Sequence, residues 1–289
     1  MVQADVIGID MGGTKCAIGL FDRSTLELRE HVTFPTRAQD GFSAVLDDIV
    51  AAVTKLRTPE TASIGIGIPG LVHQPDGVLI KAPNIANSEN IAVKKKLEKM
   101  LKMPVSVGND SQCFVLAEAL MGSAKGKKVV VGITFGTGVG GGIVIDGKIF
   151  GGAHGYAGEI GHMLLSPGTP PYKTDDMRGE VEQFLSGTAM GKRCEEAHAP
   201  EDYLNGAVCS FMQPDIYREV AWLCTNLIHL VDPDVIVFGG SAGYALHKHI
   251  EEITAELEKW ILPGTPLPEI VAGSTREKAG MLGAALLTI

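Results

Sequence analysis

DVIGIDMGGTKCAIGLF, residues 5–21, is the stretch on which the architecture turns. Two short apolar runs flank Gly12, Gly13 and Thr14. The runs read as strands and the glycines have hairpin chemistry, so a strand over 5–11 turns sharply and returns over 15–21. The same grammar recurs downstream. VVVGITF, residues 129–135, is followed by Gly136-Thr137-Gly138-Val139-Gly140 and by a returning strand over 141–146.

Outward from the first hairpin, residues 27–34 alternate apolar and polar as a third strand. Val45, Leu46, Ile49, Val50, Val53 and Leu56 share one face of a helix over 43–56. A buried strand over 63–68 ends at Pro69-Gly70. A helix over 91–103 stops at Pro104, a strand covers 105–107, and Asn109 or Asp110 caps a helix over 111–121. The order is β-β-β-α-β-α-β-α. The second half closes with a helix over 216–231, a strand over 235–238 ending in Gly239-Gly240-Ser241, a helix over 250–262 and a strand over 269–272. A last, small-residue helix covers about 278–288 and is expected to pack back on the first lobe. The halves read as a duplication, with lobes over 1–122 and 123–289 divided in the polar stretch 122–128. Proline-rich residues 167–171 form a surface loop.

The 289 residues carry 25 Lys+Arg and 34 Asp+Glu, a net charge of −9. That balance, without a basic run, argues against nucleic acid or an anionic membrane as partner. No apolar run reaches the roughly 20 residues of a membrane span, and Asp5 and Asp10 interrupt any signal-peptide pattern. The five cysteines are widely spaced with no CxxC pair, so neither a disulfide framework nor a cysteine zinc site is expected, and a reducing cytoplasm fits. The 36 glycines cluster at 12–13, 65–70, 136–142, 151–161 and 239–240, which reads as a ligand surrounded by backbone.

Each cluster has a chemical and a plain reading. Gly12, Gly13 and Thr14 expose donors that can cradle a phosphate, and Asp10 beside them can hold Mg²⁺ through water; a simple hairpin turn is the alternative. The GTGVGGG run at 136–142 nearly matches GxGxxG, but a strand follows it where a dinucleotide fingerprint would open a helix. Paired with the first turn it becomes a second phosphate loop, and no GxxxxGK[ST] occurs. Asn109-Asp110 is either a helix cap or a carboxylate at a strand end able to accept a hydroxyl proton. Glu159-Ile160-Gly161-His162 is a polar cluster among glycines, open to a metal or to a satisfied histidine, and Glu182 alone is unremarkable. His31, His73, His154, His198, His229, His247 and His249 have no partners at motif spacing.

Taken in order, these clusters resemble the ROK family of bacterial sugar kinases, in the actin/hexokinase ATPase superfamily. The matching pieces are DMGGTK (10–15), GIPG (67–70), PN (83–84), ND (109–110), GTGVGGG (136–142) and GYAGEIGH (155–162). ExxxSG (182–187), DPDVIVFGG (232–240) and GMLGAA (280–285) follow. The resemblance implies an α/β, two-lobed actin-like (ribonuclease H-like) fold with a cleft between the lobes. It implies that Asp110 is the general base toward a sugar 6-hydroxyl. Gly70, Asn84, Asn109, Glu159, His162 and Glu182 would bind the sugar. Gly12, Gly13, Thr14, Lys15, Thr137 and Gly138 would hold ATP phosphates, Gly239 and Gly240 would lie near the adenosine, and Asp10 would assist Mg²⁺.

One departure is plain. The family usually has CxCGxxGCxE here, whose cysteines join the histidine in a structural zinc site. Residues 166–182 read SPGTPPYKTDDMRGEVE, with no cysteine between His162 and Cys194. Thiolates make such sites tight, so no zinc is expected, and His162 must be oriented by another group. The usual ENDANAA is altered to GNDSQCF, with Gln112 where Asn is common.

The expected reaction is ATP-dependent phosphorylation of a hexose at its 6-hydroxyl, glucose by default, with N-acetylmannosamine or another N-acylhexosamine, fructose and allose as alternatives. Closure of the lobes would exclude water. A non-catalytic sugar sensor would be expected to lose the base or a phosphate turn. A repressor of this family would need a DNA-binding segment before Asp10. A homodimer is what the resemblance implies.

Overall fold

The computed structural model describes residues 4–197, 199–205 and 208–289; His198 lies outside them. In chain order, β1 (Asp5–Met11), β2 (Lys15–Asp22) and β3 (Leu28–Pro35) precede α1 (Phe42–Leu56) and β4 (Thr61–Ile68). Then come β5 (Leu71–His73), β6 (Val78–Lys81), β7 (Glu89–Ala92), α2 (Val93–Leu101), β8 (Val105–Asn109) and α3 (Asp110–Met121). The chain continues through β9 (Val129–Phe135), β10 (Val139–Ile145), β11 (Lys148–Ile149), α4 (Val181–Leu185), α5 (Gly187–Arg193), α6 (Pro200–Asn205) and α7 (Gln213–Val231). It ends with β12 (Val235–Gly239), α8 (Gly240–Leu246), α9 (Ile250–Leu257), β13 (Glu269–Ala272) and α10 (Ala279–Leu286).

Two compact units result. Unit 1 comprises Met1–Ala117, Phe150–Ala157 and Thr275–Ile289; unit 2 comprises Glu118–Ile149 and Gly158–Ser274. The main sheet of unit 1 runs β3-β2-β1-β4-β8, and that of unit 2 runs β11-β10-β9-β12-β13. In each, the first three strands in sequence pair antiparallel and the rest join parallel. The two sheets therefore share one topology, as the repeated strand–turn–strand reading expects.

In unit 1, β1 is almost wholly buried, as a central strand covered on both faces must be. On one side α1 buries Phe42, Val45, Leu46, Ile49, Val53 and Leu56 into a core with Ile7, Ile9, Ile64 and Ile66. On the other side α10 comes down backbone-to-backbone. A Cβ on Gly8 would lie 1.8 Å from Met281 O, one on Gly65 1.7 Å from Ala284 O, and one on Gly283 1.8 Å from Cys113 O. This corrects the ligand reading of the 65–70 glycines in part: Gly65 is there so that a small-residue helix can approach the sheet. Segment 150–157 is tied into unit 1 by Gln112, whose Nε2 donates to Gly155 O at 3.1 Å and Ala157 O at 3.2 Å.

Two further differences have local causes. Residues 91–92, read as the start of a helix, instead end β7 of a small sheet β5-β6-β7. Residues 258–262 lie beyond α9 in turns, not helix. In unit 2 a disulfide joins Cys194 to Cys209, which corrects the expectation of none: the end of α5 and the turn before α7 bring two cysteines together that no spacing motif links. Arg193 and Glu219 form a buried pair at 2.6 Å that fixes α5 on α7. Glu118, fully buried, accepts from Ser123 N (2.8 Å) and Ser274 N (3.0 Å). Among the described residues no helix is long and apolar enough to cross a membrane.

Candidate active site

In unit 1 the site grows from the end of β1. Asp10 leads into the turn, where Gly12 N–H donates to Lys15 O at 2.9 Å. Thr36, just after β3, clamps that turn, its amide donating to Thr14 O and its hydroxyl to Gly12 O, both at 2.8 Å. Thr14 and Lys15 are left exposed. Asn84 stands beside the turn, its Cβ 3.5 Å from where a Gly13 side chain would begin. Asp10 packs against the first turn of α10: a Cβ on Gly280 would meet its carboxylate at 2.3 Å.

Asn109 and Asp110 end β8 and begin α3. Asn109 does cap that helix, its Oδ1 accepting from Ser111 N at 2.9 Å and Gln112 N at 3.1 Å. Its amide also donates to Gly70 O at 3.1 Å, so the capping and site readings meet in one side chain. Gly70 has φ +91°, and any Cβ there would strike Lys81 O; only glycine serves. Asp110 takes Ser111 N on Oδ1 at 2.8 Å. Burial pushes the Asp110 carboxyl above its ordinary value. Burial, then the Asp110 charge, raises Asp10 to about 6, with Lys15 pulling the other way. A buried acid facing a second acid fits a hard cation such as Mg²⁺, which takes oxygen ligands and relieves that repulsion.

In unit 2 the second turn is closed by Gly136 N–H donating to Gly138 O at 2.9 Å. Thr188 Oγ1 donates to Thr137 O at 2.7 Å. Two polar clusters converge on the neighbouring Val139 backbone. Glu182 Oε2 accepts Val139 N–H at 2.8 Å, and a Cβ on Gly161 would lie 2.0 Å from Val139 O. Gly161 belongs to the short turn Ile160–His162, which half-buried Glu159 enters. Gly240 (φ +75°) presses on Phe135, a Cβ there falling 2.3 Å from Phe135 O, so Gly239 and Gly240 flank the turn. Unit 1 thus gathers Asp10, Gly12, Gly13, Gly70, Asn84, Asn109 and Asp110, and unit 2 gathers Thr137, Gly138, Glu159, His162, Glu182, Gly239 and Gly240.

One partner escaped the sequence. His162 Nδ1 lies 2.8 Å from Glu180 Oε2. The signal was present: Glu180 precedes Glu182 by two residues, where the CxE of the cysteine stretch has its thiolate. His162 and Glu180 form a two-residue pair, and among the described residues no group of three or more His, Cys, Asp or Glu is gathered.

The chain has relatives among known proteins. The model of the ROK family matches residues 6–289. The chain is 32% identical to an N-acetylgalactosamine kinase of Shewanella sp. (strain ANA-3), over 97% of this chain and 95% of that one. It is 32% identical to a glucokinase of Streptomyces coelicolor, over 96% of each. A glucokinase from Streptomyces griseus, solved in complex with glucose and AMPPNP, superposes with a TM-score of 0.76 at 28% identity, over 98% of this chain and 99% of that one.

Proposed function

The chain belongs to the ROK family and is a sugar kinase, and we propose that it moves the γ-phosphoryl group of ATP to the 6-hydroxyl of a hexose, glucose first. The observation that carries this is the pair of acids in unit 1, Asp10 at the phosphate turn and Asp110 at a strand end: burial raises Asp10 to about 6, and Asp110 is close enough for its charge to add to that rise. One carboxylate suits a metal-bound phosphate and the other an alcohol.

Phosphoryl transfer asks little covalent chemistry of the protein; positioning and charge stabilisation dominate. Mg²⁺, when bound, neutralises phosphate oxygens, and Asp10 would hold it through water. The backbone donors of Gly12, Gly13 and Thr14, with Lys15, and those of Thr137 and Gly138 would hold the phosphates, with Gly239 and Gly240 near the adenosine. Gly70, Asn84, Asn109, Glu159, His162 and Glu182 would fix the sugar. Ser111 N–H donates to Asp110 Oδ1, which helps orient the carboxylate that would take the hydroxyl proton. The raised affinity of Asp110 for a proton helps a base, provided it is still ionised at working pH.

An N-acylhexosamine is the second reading, favoured by the likeness to the N-acetylgalactosamine kinase. A panel of hexoses and N-acylhexosamines with MgATP, scored by ADP release and by the position of the new phosphate ester, separates the two. Asp110→Asn is expected to retain sugar binding while kcat drops about 10²–10⁴-fold. Near-wild-type turnover would remove the base assignment, and silence across the panel would favour a sugar sensor. We place the reaction in the cytoplasm, on the absence of any CxxC pair in the sequence, and in a homodimer, as the family resemblance implies.

A further inference from the structure

His162 and Glu180 face one another across a short two-stranded ribbon. Val181 N–H donates to Met163 O at 2.9 Å, and Leu164 bridges Glu180. Glu180 is also the N-cap of α4, in a reciprocal capping box with Gln183. Its side chain is 10% exposed, and that of His162 is 55% exposed. One end of the pair is therefore locked in the fold while the other opens outward. An ionised carboxylate only accepts hydrogen bonds, so such a partner at 2.8 Å would favour the His162 tautomer with its proton on Nδ1. A neutral imidazole protonated there presents Nε2 as a lone-pair acceptor.

We propose that Glu180 is a positioning residue for sugar binding: it fixes the tautomer and direction of His162, so that Nε2 accepts a hydrogen bond from a sugar hydroxyl. This rests on the reading of His162 as a sugar ligand. The same turn supports it, because Gly161 abuts Val139 O while the neighbouring amide goes to Glu182. A His162 ring left free to rotate would offer either nitrogen, and only one orientation accepts.

The test combines kinetics with a measurement that needs no substrate. Glu180→Ala is expected to raise the KM for sugar about tenfold, the value of roughly one hydrogen bond, with kcat and the KM for ATP little changed. Glu180→Gln, whose amide oxygen can still accept from Nδ1–H, is expected to restore most of the affinity. Gln183→Ala weakens the cap without touching His162 and is expected to leave the KM for sugar unchanged. In a His162→Ala background, Glu180→Ala is expected to add nothing. An effect that persists there, or a Gln183→Ala effect equal to that of Glu180→Ala, would show that Glu180 acts through the fold and overturn the proposal. A long-range ¹H–¹⁵N spectrum of the ligand-free protein is expected to show His162 protonated at Nδ1, with the proton shifting toward Nε2 in Glu180→Ala. An Nε2–H tautomer in the wild type would also overturn it. If the wild type phosphorylates no sugar, the kinase reading fails while the spectrum still decides the pair.

Discussion

Asp10 shows how a single residue links stability to chemistry. Its carboxyl is raised from 3.8 to about 6 by burial and by the Asp110 charge. The folded protein thus holds the proton more tightly than the unfolded chain does. Stability from this group is full at low pH and is lost as pH rises from about 4 through 6; the whole difference is about 3 kcal/mol. Asp10→Asn removes the buried charge, so the ligand-free variant is expected to melt ~5 °C higher at pH 7.5, with the gain shrinking at pH 4.5. The same variant is expected to lose the stabilisation that MgATP gives the wild type. Thermal melts at both pH values, with and without MgATP, check the sign; a variant less stable at pH 7.5 would mean that Asp10 is held ionised by something else. The acid limb of the rate profile is expected to lie above an ordinary aspartate value, because the Asp110 carboxyl is also raised.

At the scale of elements, glycines divide into two kinds. Gly283 supports packing: its Cβ would fall 1.8 Å from Cys113 O, a backbone atom that cannot step aside. Gly136 in the second turn has nothing nearer than 4.0 Å. Gly283→Ala is expected to cost about 3 kcal/mol or more, whereas Gly136→Ala is expected to keep its melting temperature and raise the KM for ATP. Paired melts and kinetics on the two variants distinguish packing from binding. Sequence alone could not sort them, since both kinds sit beside apolar runs. The sheets were legible because β1, β4, β9 and β12 are apolar for four or more residues, and α1 and α7 because their apolar stripes span several turns. Strands β5, β6 and β7 have three or four residues, too few for alternation to register. Helices α4, α5 and α6 have five to seven, under two full turns. Asp10 and Asp110 were legible because each lies where a strand gives way to a turn or helix; Glu180 was not, because its partner is a histidine 18 residues away.

At the scale of the whole molecule, the chain builds unit 1 in three separate visits and unit 2 in two. Nothing local in residues 150–157 marks them for unit 1; Gln112 does, from a distance. The third visit supplies α10, which seals the glycine face of β1 and β4. A chain shortened after Ser274 is expected to stay protected from protease across β9, β10, β12 and α7 while β1 and β4 become cleavable; equal protection of both regions would show that α10 is dispensable. The placement of α10 also sets a timetable at the ribosome. The first sheet to emerge must wait, one side bare, while all of unit 2 is translated, and only then does its cover arrive. The part made first is thus finished last, and in that interval its uncovered apolar face is the surface most open to aggregation.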